Sequence, residues 1–285
     1  MSRSLHVCIV AFHSDLEWLT NTLTSLRAAI ENAIARGLLA AAQVHIVDNG
    51  AASADQPLDA ITALKAAIDR ALWAPPTAQA IRYAYVAMPS NQGFGAANNH
   101  ALRDSRADFV LVLNPDVKLA PDAIAHAIVH LDATADCGAV TPVATFPDGA
   151  PQYLAKRDPT MAVLALRGVA PRWLKALFGK SLSRYDYADV PFDAALSDSR
   201  TVSGCWLLLR GEVWRQSGGF DEAFFLYFED FDLSRRIAQV SRIDRVPGCR
   251  IVHAGGNAAG KGGKHIGMFI RSAMRYFGKH GWRWW

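Results

Sequence analysis

Short apolar runs alternate along the chain with longer segments in which apolar residues recur every three or four positions. The runs predict β-strands at 5–12, 44–50, 83–87, 109–116, 206–210 and 249–253. The periodic segments predict helices with apolar faces at Leu19, Leu23, Leu26, Ile30 and Ile34, then Leu58, Ile61, Leu64, Ile68 and Leu72, then Ile124, Ile128 and Leu131. This alternation indicates an α/β protein with a mostly parallel central sheet and helices on both faces.

The carboxyl ends of the predicted strands are where such a sheet binds its ligands. Polar residues stand at these ends in four places, namely Ala11–Asp15, Asp48–Asn49, the turn-rich segment after residue 87, and Asn114–Asp116. We therefore expect a binding site at this edge of the sheet. Residues 150–200 show no regular pattern, and we interpret them as an insertion that shapes an acceptor site.

Charge is unevenly distributed along the 285 residues. The net charge is +4, but residues 261–285 contain six Lys or Arg and no acid, which leaves 24 basic and 26 acidic residues in the first 260. Overall basicity therefore does not argue for nucleic-acid binding, and we expect none. The four cysteines are scattered without a C-x-x-C pair, which predicts buried thiols in a reducing compartment and disfavours a zinc site.

No apolar segment has the pattern of a signal peptide or the length of a membrane span, so we expect a cytoplasmic protein, either soluble or on a membrane surface. The tail 261–285 mixes basic residues with Trp282, Trp284 and Trp285. This composition suits the interface of an anionic membrane. It equally suits a C-terminal helix that packs on the domain and has a frayed end.

The segment NQGFGAANN at 91–99 is the first candidate nucleotide-binding motif. Its Gly93 and Gly95 lack the third glycine of a dinucleotide fingerprint, and they follow the third predicted strand, which disfavours a Rossmann site. One interpretation is a turn before a helix, with Asn91 as the cap. The other is a loop whose backbone approaches a nucleotide while Asn98 supplies amide donors.

Asp48, Asp116 and His253 each end or follow an apolar strand. Asp48 is consistent with a simple Asx-turn, or with an acceptor for the imide N–H of a pyrimidine base. Asp116, in LNPDV, suits a β-turn or a carboxylate ligand of Mg²⁺ or Mn²⁺. A lone histidine is usually structural, but His253 and Asp116 could meet at the sheet edge around one cation.

The segment AGGNAAGKGGKH at 254–265 follows that histidine directly. Its Gly and Ala content is typical of a flexible linker. Alternatively, it forms a mobile loop whose Lys261 and Lys264 close over a diphosphate.

The segment FFLYFEDFDLSRR at 224–236 places two carboxylates, Glu229 and Asp230, after an aromatic run. Acidic residues favour a helix N-terminus, and Asp232 can pair with Arg236 one turn later, so one interpretation is a helix start. The other is a catalytic base at the mouth of a pocket, where a carboxylate that is costly to bury has a use.

Taken together and in this order, the motifs resemble those of family 2 glycosyltransferases with a GT-A fold, especially the rhamnosyltransferase-like branch that builds bacterial surface polysaccharides such as O-antigen. The resemblance covers about residues 5–280. It rests on VDN (47–49), on 91–99 and 113–117, and above all on 203–236 together with His253.

The resemblance implies a role for each matching residue. Asp230 would be the catalytic base of an inverting transfer, with Glu229 beside it, and Asp116 and His253 would bind Mg²⁺ or Mn²⁺. The nucleotide of a TDP- or UDP-sugar would contact Ala11, His13, Asp48, Asn49, Asn91, Gly93, Asn98 and Asn114. The acceptor, a glycan or a lipid-linked sugar, or the diphosphate would contact Trp206, Arg235, Lys261 and Lys264.

Departures from the family pattern occur at a few of these positions. Asn114 replaces the first aspartate of the D-x-D motif, which implies fewer carboxylates around the metal. His13 stands where the family often has Asn, and Ala51 where Ser is common. The resemblance implies one catalytic domain at 1–260, with a nucleotide-binding half (1–118) and an acceptor half (119–260), followed by the tail, which would allow peripheral contact with the inner membrane.

Two other functions fit a similar sheet. A sugar-nucleotide nucleotidyltransferase would need a Gly-rich, basic phosphate loop after the first strand, and FHSDLEW at 12–18 has no such loop. A non-catalytic glycan-binding protein would have no need of Asp116, Asp230 and His253 together.

Overall fold

The computed structural model describes residues 3–50, 62, 64–69, 80–168, 170–255 and 263–285, with side chains omitted for 263 and 264. The strands are β1 Ser4–Ala11, β2 Ala41–Asp48, β3 Ile81–Ala87, β4 Phe109–Leu113, β5 Val117–Leu119, β6 Cys137–Thr145, β7 Pro151–Gln152, β8 Ala155–Lys156, β9 Thr201–Val202, β10 Trp206–Arg210 and β11 Arg242–His253. The helices are α1 Leu16–Ala35, α2 Phe94–Leu102, α3 Ala123–Ala133, α4 Met161–Gly168, α5 Arg172–Leu177, α6 Gly179–Tyr185, α7 Gly211–Ser217, α8 Glu229–Ile237 and α9 Gly263–His280.

The central sheet has the strand order β3-β2-β1-β4-β10-β6-β11-β5, with β7 paired to β6. Strands β1 to β4 are mutually parallel, as the alternation predicted. The sheet becomes mixed beyond β4, because β10 runs antiparallel to both β4 and β6. The predicted α/β class with a large central sheet is confirmed, and its second half adds antiparallel pairs.

Apolar side chains fill both faces of this sheet. One cluster packs α1 and α3 against it through residues such as Leu23, Ile30 and Ile128. The other packs α2, α7 and α8 through Leu102, Trp214 and Leu233. Of the helix predicted around Leu58 to Leu72, residues 62 and 64–69 are helical, and the rest lies outside the described residues.

The last strand is seven residues longer at its start than the pattern predicted. Its first half contains Arg242, Asp244 and Arg245, charges that hid it from a search for apolar runs. These side chains have partners within the protein: the Arg242 guanidinium bonds the Asp244 carboxylate at 3.1 Å, and the Arg245 guanidinium donates to the Ala194 and Pro191 carbonyls. The β6 strand also escaped prediction, and its Pro142 lies beside a register shift in β11, where a missing amide donor is tolerated.

Register places the polar strand ends at one edge of the sheet. Ala11 pairs with Asp48, and Asp48 pairs with Ala87, at the carboxyl ends of β1, β2 and β3. Leu113 ends β4 immediately before Asn114. His253 ends β11 opposite Val117 of β5.

The C-terminal helix α9 packs on the domain through a small aromatic cluster. Ala273, Tyr276 and Phe277 are buried there against Phe224 and Phe228. The tail is thus a packed helix followed by an irregular end at residues 281–285. Within the described chain, no helix combines the length and the apolar character needed to cross a bilayer.

Candidate active site

Asp230 lies in the first turn of α8, where backbone amides hold its carboxylate. Its Oδ2 accepts the Gly204 amide at 3.1 Å, and its Oδ1 accepts the amide of Phe231 at 2.9 Å. Burial raises the pKa of Asp230, and these amides only partly oppose the rise. Each oxygen keeps a lone pair, so the carboxylate can accept a further proton donor.

Glu229 precedes Asp230 and is buried, and its Oε2 has no hydrogen-bond partner among the described residues. Burial, and then the charge of Asp230, raise the pKa of Glu229 well above its ordinary value. Two adjacent charges in a buried site are costly, so the pair favours a single negative charge at neutral pH. A neutral Glu229 leaves the single negative charge on Asp230.

The turn before α8 has an unusual backbone conformation. Tyr227 and Phe228 both have positive φ, +71° and +65°, which costs side-chain-bearing residues about 1–3 kcal/mol each. Helix α9 holds this turn: the Tyr227 hydroxyl bonds His265 Nδ1 at 2.8 Å, and the Phe228 ring packs against Phe269. The aromatic run of the sequence thus anchors a strained turn that delivers Glu229 and Asp230.

Asp232 fixes α8 to α9 from within the protein. The fully buried carboxylate accepts Lys279 Nζ at 2.7 Å, His280 Nε2 at 2.8 Å and Arg236 Nε at 2.8 Å. The predicted Asp232–Arg236 pair is confirmed. Burial alone would raise the pKa of Asp232, but Lys279, His280 and Arg236 hold it below its usual range.

Asp116 and His253 meet as the sequence suggested. His253 Nε2 lies 3.4 Å from Asp116 Oδ1 and 3.5 Å from Asn114 Nδ2. Gln152 Oε1 lies 3.0 Å from His253 Nδ1, and if it accepts that N–H, Nε2 keeps its lone pair toward Asp116. Burial disfavours the imidazolium, but the Cys205 sulfur and the Asp116 carboxylate favour it and raise the pKa of His253 to about 10.

These residues fit a divalent cation. The Asp116 carboxylate and the oriented His253 imidazole are both ligands that Mn²⁺ accepts, whereas Mg²⁺ prefers the carboxylate. Gly255 leaves the space open, because a Cβ there would lie 2.5 Å from Asp116 Oδ2. A cation would then take the place on His253 Nε2 that a proton occupies without it.

A second group of potential ligands in the described chain, His130, Cys137 and Asp244, has a structural explanation. Asp244 already accepts Arg242, His130 and the Asp198 amide. Burial, reinforced by Asp244, raises the pKa of the Cys137 thiol to about 12. All four cysteines are free and buried, as predicted.

Asp48 is fully buried at the end of β2. Its Oδ2 accepts the Tyr85 hydroxyl at 2.8 Å, while its Oδ1 has no hydrogen-bond partner among the described residues. Burial, and then the Asp48 hydrogen bond, raise the pKa of Tyr85, so this hydroxyl remains a donor. An oriented carboxylate with one unused oxygen is what a contact with an imide N–H requires.

The 91–99 motif is held in place by Asn49. Asn49 Nδ2 donates to Asn91 Oδ1 at 3.0 Å and to Gly93 O at 3.1 Å, and Asn49 Oδ1 accepts the Gln92 amide. Asn91 does not cap the following helix, because α2 begins at Phe94 with Gly93 as its N-cap. Asn91 Oδ1 instead accepts the Gly93 amide at 3.0 Å.

Gly93 is required by both conformation and space. Its φ is +90°, and a Cβ there would lie 2.3 Å from the carbonyl oxygen of Phe225. The Phe94 amide donates to that same carbonyl at 3.2 Å. The Gly-rich motif therefore packs directly on the aromatic run that leads to Asp230.

The remaining predicted site residues lie in varied settings. Ala11 is buried beside Asp48, and His13 is exposed with a φ of +47°. Asn98 is buried, and its Nδ2 donates to the Phe94 carbonyl one turn earlier. Lys261 lies outside the described residues, as does the side chain of Lys264.

Two predicted acceptor or diphosphate contacts have other partners in the structure. The Trp206 ring is fully buried in the core against the sheet, because alternation along β10 turns it inward, so it does not line an open site. Arg235 Nη1 pairs with Asp158 Oδ1 at 2.9 Å, and Asp158 also binds Arg283 of the tail. Arg235 therefore joins α8 to the C-terminal end of the chain.

Gln152, Tyr85, Gly204 and Gly255 shape the site but were not predicted from the sequence. Gln152 lies in the irregular region and binds both His253 and, through Nε2, the Gly255 carbonyl at 2.7 Å. Tyr85 had a signal, since it stands in a predicted strand beside Asp48. Gly204 and Gly255 matter because other residues approach their backbones closely, and a single sequence does not reveal such contacts.

Comparison with known proteins gives the family and the fold of the chain. Residues 6–195 match the model of glycosyl transferase family 2. The N-acetylglucosaminyl-diphospho-decaprenol L-rhamnosyltransferase of Mycobacterium tuberculosis is 26% identical over 213 residues, which are 69% of this chain and 67% of that protein.

Two solved structures share the fold. A mannosyltransferase from Pyrobaculum calidifontis, in complex with GDP-Man and Mn²⁺, superposes with a TM-score of 0.57 at 15% identity, over 96% of this chain and 65% of its own. GalNAc-T7, crystallised with UDP, GalNAc and Mn²⁺, has a TM-score of 0.54 at 14% identity, over 88% of this chain and 43% of its own. The fold is therefore that of the GT-A glycosyltransferases, and the chain belongs to glycosyltransferase family 2.

Proposed function

We propose that this glycosyltransferase transfers a sugar to a lipid-linked or glycan acceptor in the synthesis of a bacterial surface polysaccharide. The sugar that we propose is rhamnose, and its donor is TDP-rhamnose. The rhamnosyl donor and the lipid-linked acceptor are suggested by the name of the Mycobacterium tuberculosis relative. A pyrimidine nucleotide fits Asp48, whose free oxygen can accept an imide N–H.

The observation that carries the proposal is a short series of backbone contacts that links Asp230, the proposed catalytic base, to the residues that would bind the cation. Gly204 donates its amide to Asp230, and the carbonyl of the next residue, Cys205, accepts the Asn114 amide at 2.8 Å. Asn114 in turn lies beside His253. A carboxylate base and a diphosphate-binding site are therefore held at neighbouring points of one sheet edge, as a single displacement requires.

The proposed reaction inverts the anomeric carbon. An acceptor hydroxyl gives its proton to Asp230 as its oxygen bonds the anomeric carbon, and the bond from that carbon to the diphosphate oxygen breaks. The nucleoside diphosphate leaves with the electron pair. A Mg²⁺ or Mn²⁺ ion bound by Asp116 and His253 would neutralise the diphosphate.

The protein contributes position and basicity. The amides of Gly204 and Phe231 fix the Asp230 carboxylate, and the raised pKa makes it a stronger base. A neutral Glu229 avoids a second charge beside it. Tyr85 orients the Asp48 carboxylate toward the nucleobase of the donor. Asn49 holds the 91–93 loop beside the aromatic run.

The division into a nucleotide-binding half (1–118) and an acceptor half (119–260) is part of this proposal, as is a location at the cytoplasmic face of the inner membrane.

Donor identity is tested by thermal unfolding with UDP, TDP, GDP or CMP, with and without Mn²⁺. A ligand at about 100 times its Kd raises the free energy of unfolding by about 2.7 kcal/mol. We expect a Mn²⁺-dependent increase with TDP or UDP. A response to GDP or CMP alone would contradict the assignment of Asp48, and no response to any nucleotide would contradict donor binding.

A further inference from the structure

Helix α9 has two faces of different character. The inner face, with Ala273, Tyr276 and Phe277, is buried against the turn that precedes α8. Lys279 and His280 reach the buried Asp232 of α8 from the same side. This face secures the helix to the domain without help from the outer face.

The outer face of α9 presents an apolar stripe to solvent. Ile266, Ile270 and Met274 follow one another at intervals of four residues and are 55%, 53% and 59% exposed. Residues with this spacing lie on one side of a helix. A stripe of exposed large apolar side chains on a packed helix marks an interaction surface.

Basic side chains border this stripe. Arg271 and Arg275 are exposed one position after Ile270 and Met274, and neither forms an ion pair within the described chain. The sequence from 263 to 285 contains five Lys or Arg and no acidic residue. The partner of this face must therefore accept apolar side chains and carry negative charge.

Tryptophans extend the surface beyond the helix. Trp284 and Trp285 are 62% and 89% exposed, and Trp282 stacks between Phe277 and Trp284. The tail is held by its backbone, because the Met161 and Ala162 amides donate to the carbonyls of Arg283 and Trp284. Tryptophan is enriched at the boundary between lipid and water, where its ring has both apolar and polar partners.

We propose that the outer face of α9, with the tail tryptophans, docks on the surface of an anionic lipid bilayer. An amphipathic helix that lies in the interface combines the same elements, namely an apolar stripe, flanking arginines and tryptophan. A second copy of the chain fits less well, because symmetric pairing of this face would oppose its uncompensated arginines.

This proposal rests on the proposed function in one respect, since a lipid-linked acceptor gives surface docking a purpose. The inner face of α9 contacts the turn and helix that carry Asp230. Docking would thus leave only α9 between α8, which carries Asp230, and the lipid. The reactive end of a lipid-linked acceptor is presented at that surface.

The test is co-sedimentation of the full chain with lipid vesicles, in the absence of donor and acceptor. One set contains phosphatidylcholine alone, and the other about one third phosphatidylglycerol. We compare the wild type with a stripe variant, I266S/I270S/M274S, and with a charge variant, R271A/R275A. The matched controls are V129S/V240S and R36A/R106A, which change exposed residues on other elements.

We expect the wild type and both controls to bind the anionic vesicles, and binding to fall as salt increases. The stripe variant should lose at least ten-fold in partitioning. The charge variant should lose about thirty-fold, since each basic residue near an anionic surface contributes about five-fold. Circular dichroism and the unfolding temperature establish that each variant is folded, and a variant that fails is replaced by its single substitutions.

Three results would overturn the proposal: no binding of the wild type to anionic vesicles, equal binding by the variants, or binding lost equally in the controls. A wild-type dimer in solution that the stripe variant abolishes, without vesicle binding, would assign the face to a second copy instead. Transfer to a short-chain, water-soluble acceptor separates the two proposals. Activity there without vesicle binding would remove the docking surface alone, and vesicle binding without any transfer would remove the proposed function alone.

Discussion

The amide of Gly204 lies 3.1 Å from Oδ2 of Asp230, and this contact ties the α8 carboxylate to the strand end that faces Asn114. A Cβ on residue 204 would lie 3.4 Å from the Asp230 Cβ and 3.2 Å from the Phe94 ring. Three motifs that are far apart in sequence therefore meet at one glycine. The proposed base depends on this arrangement for its orientation, while burial raises its pKa.

Replacement of Asp230 by Asn should separate transfer from binding. A well-placed general base contributes about 10²–10⁴-fold, so kcat should fall by that factor while the Kd for the donor nucleotide stays within about two-fold. Steady-state kinetics and calorimetric titration of TDP or UDP provide the two readouts. The exposed Asp104→Asn is the matched control, and transfer at wild-type rate by D230N would remove Asp230 from the mechanism.

The same substitution should leave the protein at least as stable as the wild type. A carboxyl whose pKa is raised by folding binds its proton more tightly in the folded state. The free energy of unfolding therefore falls as pH rises from the ordinary pKa of Asp through the raised one. D230N and E229Q avoid this loss, so their urea midpoints at pH 7 should equal or exceed that of the wild type. A clear loss in both would show that the carboxylates are stabilising ion-pair partners instead.

Activity should depend on pH through the same raised pKa. Transfer needs ionised Asp230, so kcat should decline on the acid side at a higher pH than an ordinary aspartate would give. Glu229 is already neutral where Asp230 titrates, so E229Q should leave this decline nearly in place. The kcat profile, taken with saturating Mn²⁺ and donor, measures both. A large shift of the acid limb in E229Q would mean that Glu229 is ionised beside Asp230 in the wild type.

The sequence predicted this site in part because parallel strands align their carboxyl ends. Asp48, Asn114 and His253 could be placed at one edge from apolar runs alone. Gln152 could not, since it lies in a two-residue strand within an irregular region. Trp206 and Arg235 were expected at the site, but their surroundings depend on contacts between distant segments. A local pattern does not show which face of β10 is buried, or that Arg235 pairs with Asp158.

Substitution of Gln152 should weaken cation binding even though Gln152 is not itself a proposed ligand of the cation. Gln152→Leu leaves His253 Nδ1 without the partner that orients the ring, and such changes typically cost 10–100-fold in metal affinity. Asp116→Ala should cost more. Titration of Mn²⁺ followed by electron paramagnetic resonance measures both, with Asp104→Ala as the control. Wild-type affinity in Asp116→Ala would show that the cation, if bound, lies elsewhere.

Recognition of the base should depend on Asp48 and its hydroxyl donor. Asp48→Asn should lower affinity for UDP and TDP by about ten-fold or more, because an amide offers a weaker acceptor than a carboxylate. Tyr85→Phe should have a smaller effect in the same direction. Tyr83→Phe is the matched control, since the Tyr83 hydroxyl on the same strand is buried without a hydrogen-bond partner in the described chain. Equal losses in both tyrosine variants would argue against a specific role for Tyr85.

Asp232→Ala should loosen α9 from α8, the helix that carries the proposed base Asp230. It leaves His280 and Arg236 facing a buried site without this counter-charge, although Lys279 keeps its pair with Asp221 at 2.7 Å, and breaking a buried pair costs about 3–5 kcal/mol. Urea unfolding should show that loss, and kcat should fall because the turn at Tyr227 and Phe228 loses its support. Replacement of the exposed, salt-bridged Asp132 by Ala should cost under about 1 kcal/mol. A comparable cost for the two would contradict the role of Asp232.

The most direct test is transfer from TDP-rhamnose to an N-acetylglucosaminyl diphospho-lipid with Mn²⁺ present. Mass spectrometry measures the yield of product, and NMR spectroscopy assigns its anomeric configuration. We expect a disaccharide lipid of inverted anomeric configuration from the wild type, and at least a hundred-fold less from D230N at equal nucleotide occupancy. A product that retains the donor configuration, or equal yield from both proteins, would contradict the proposed reaction.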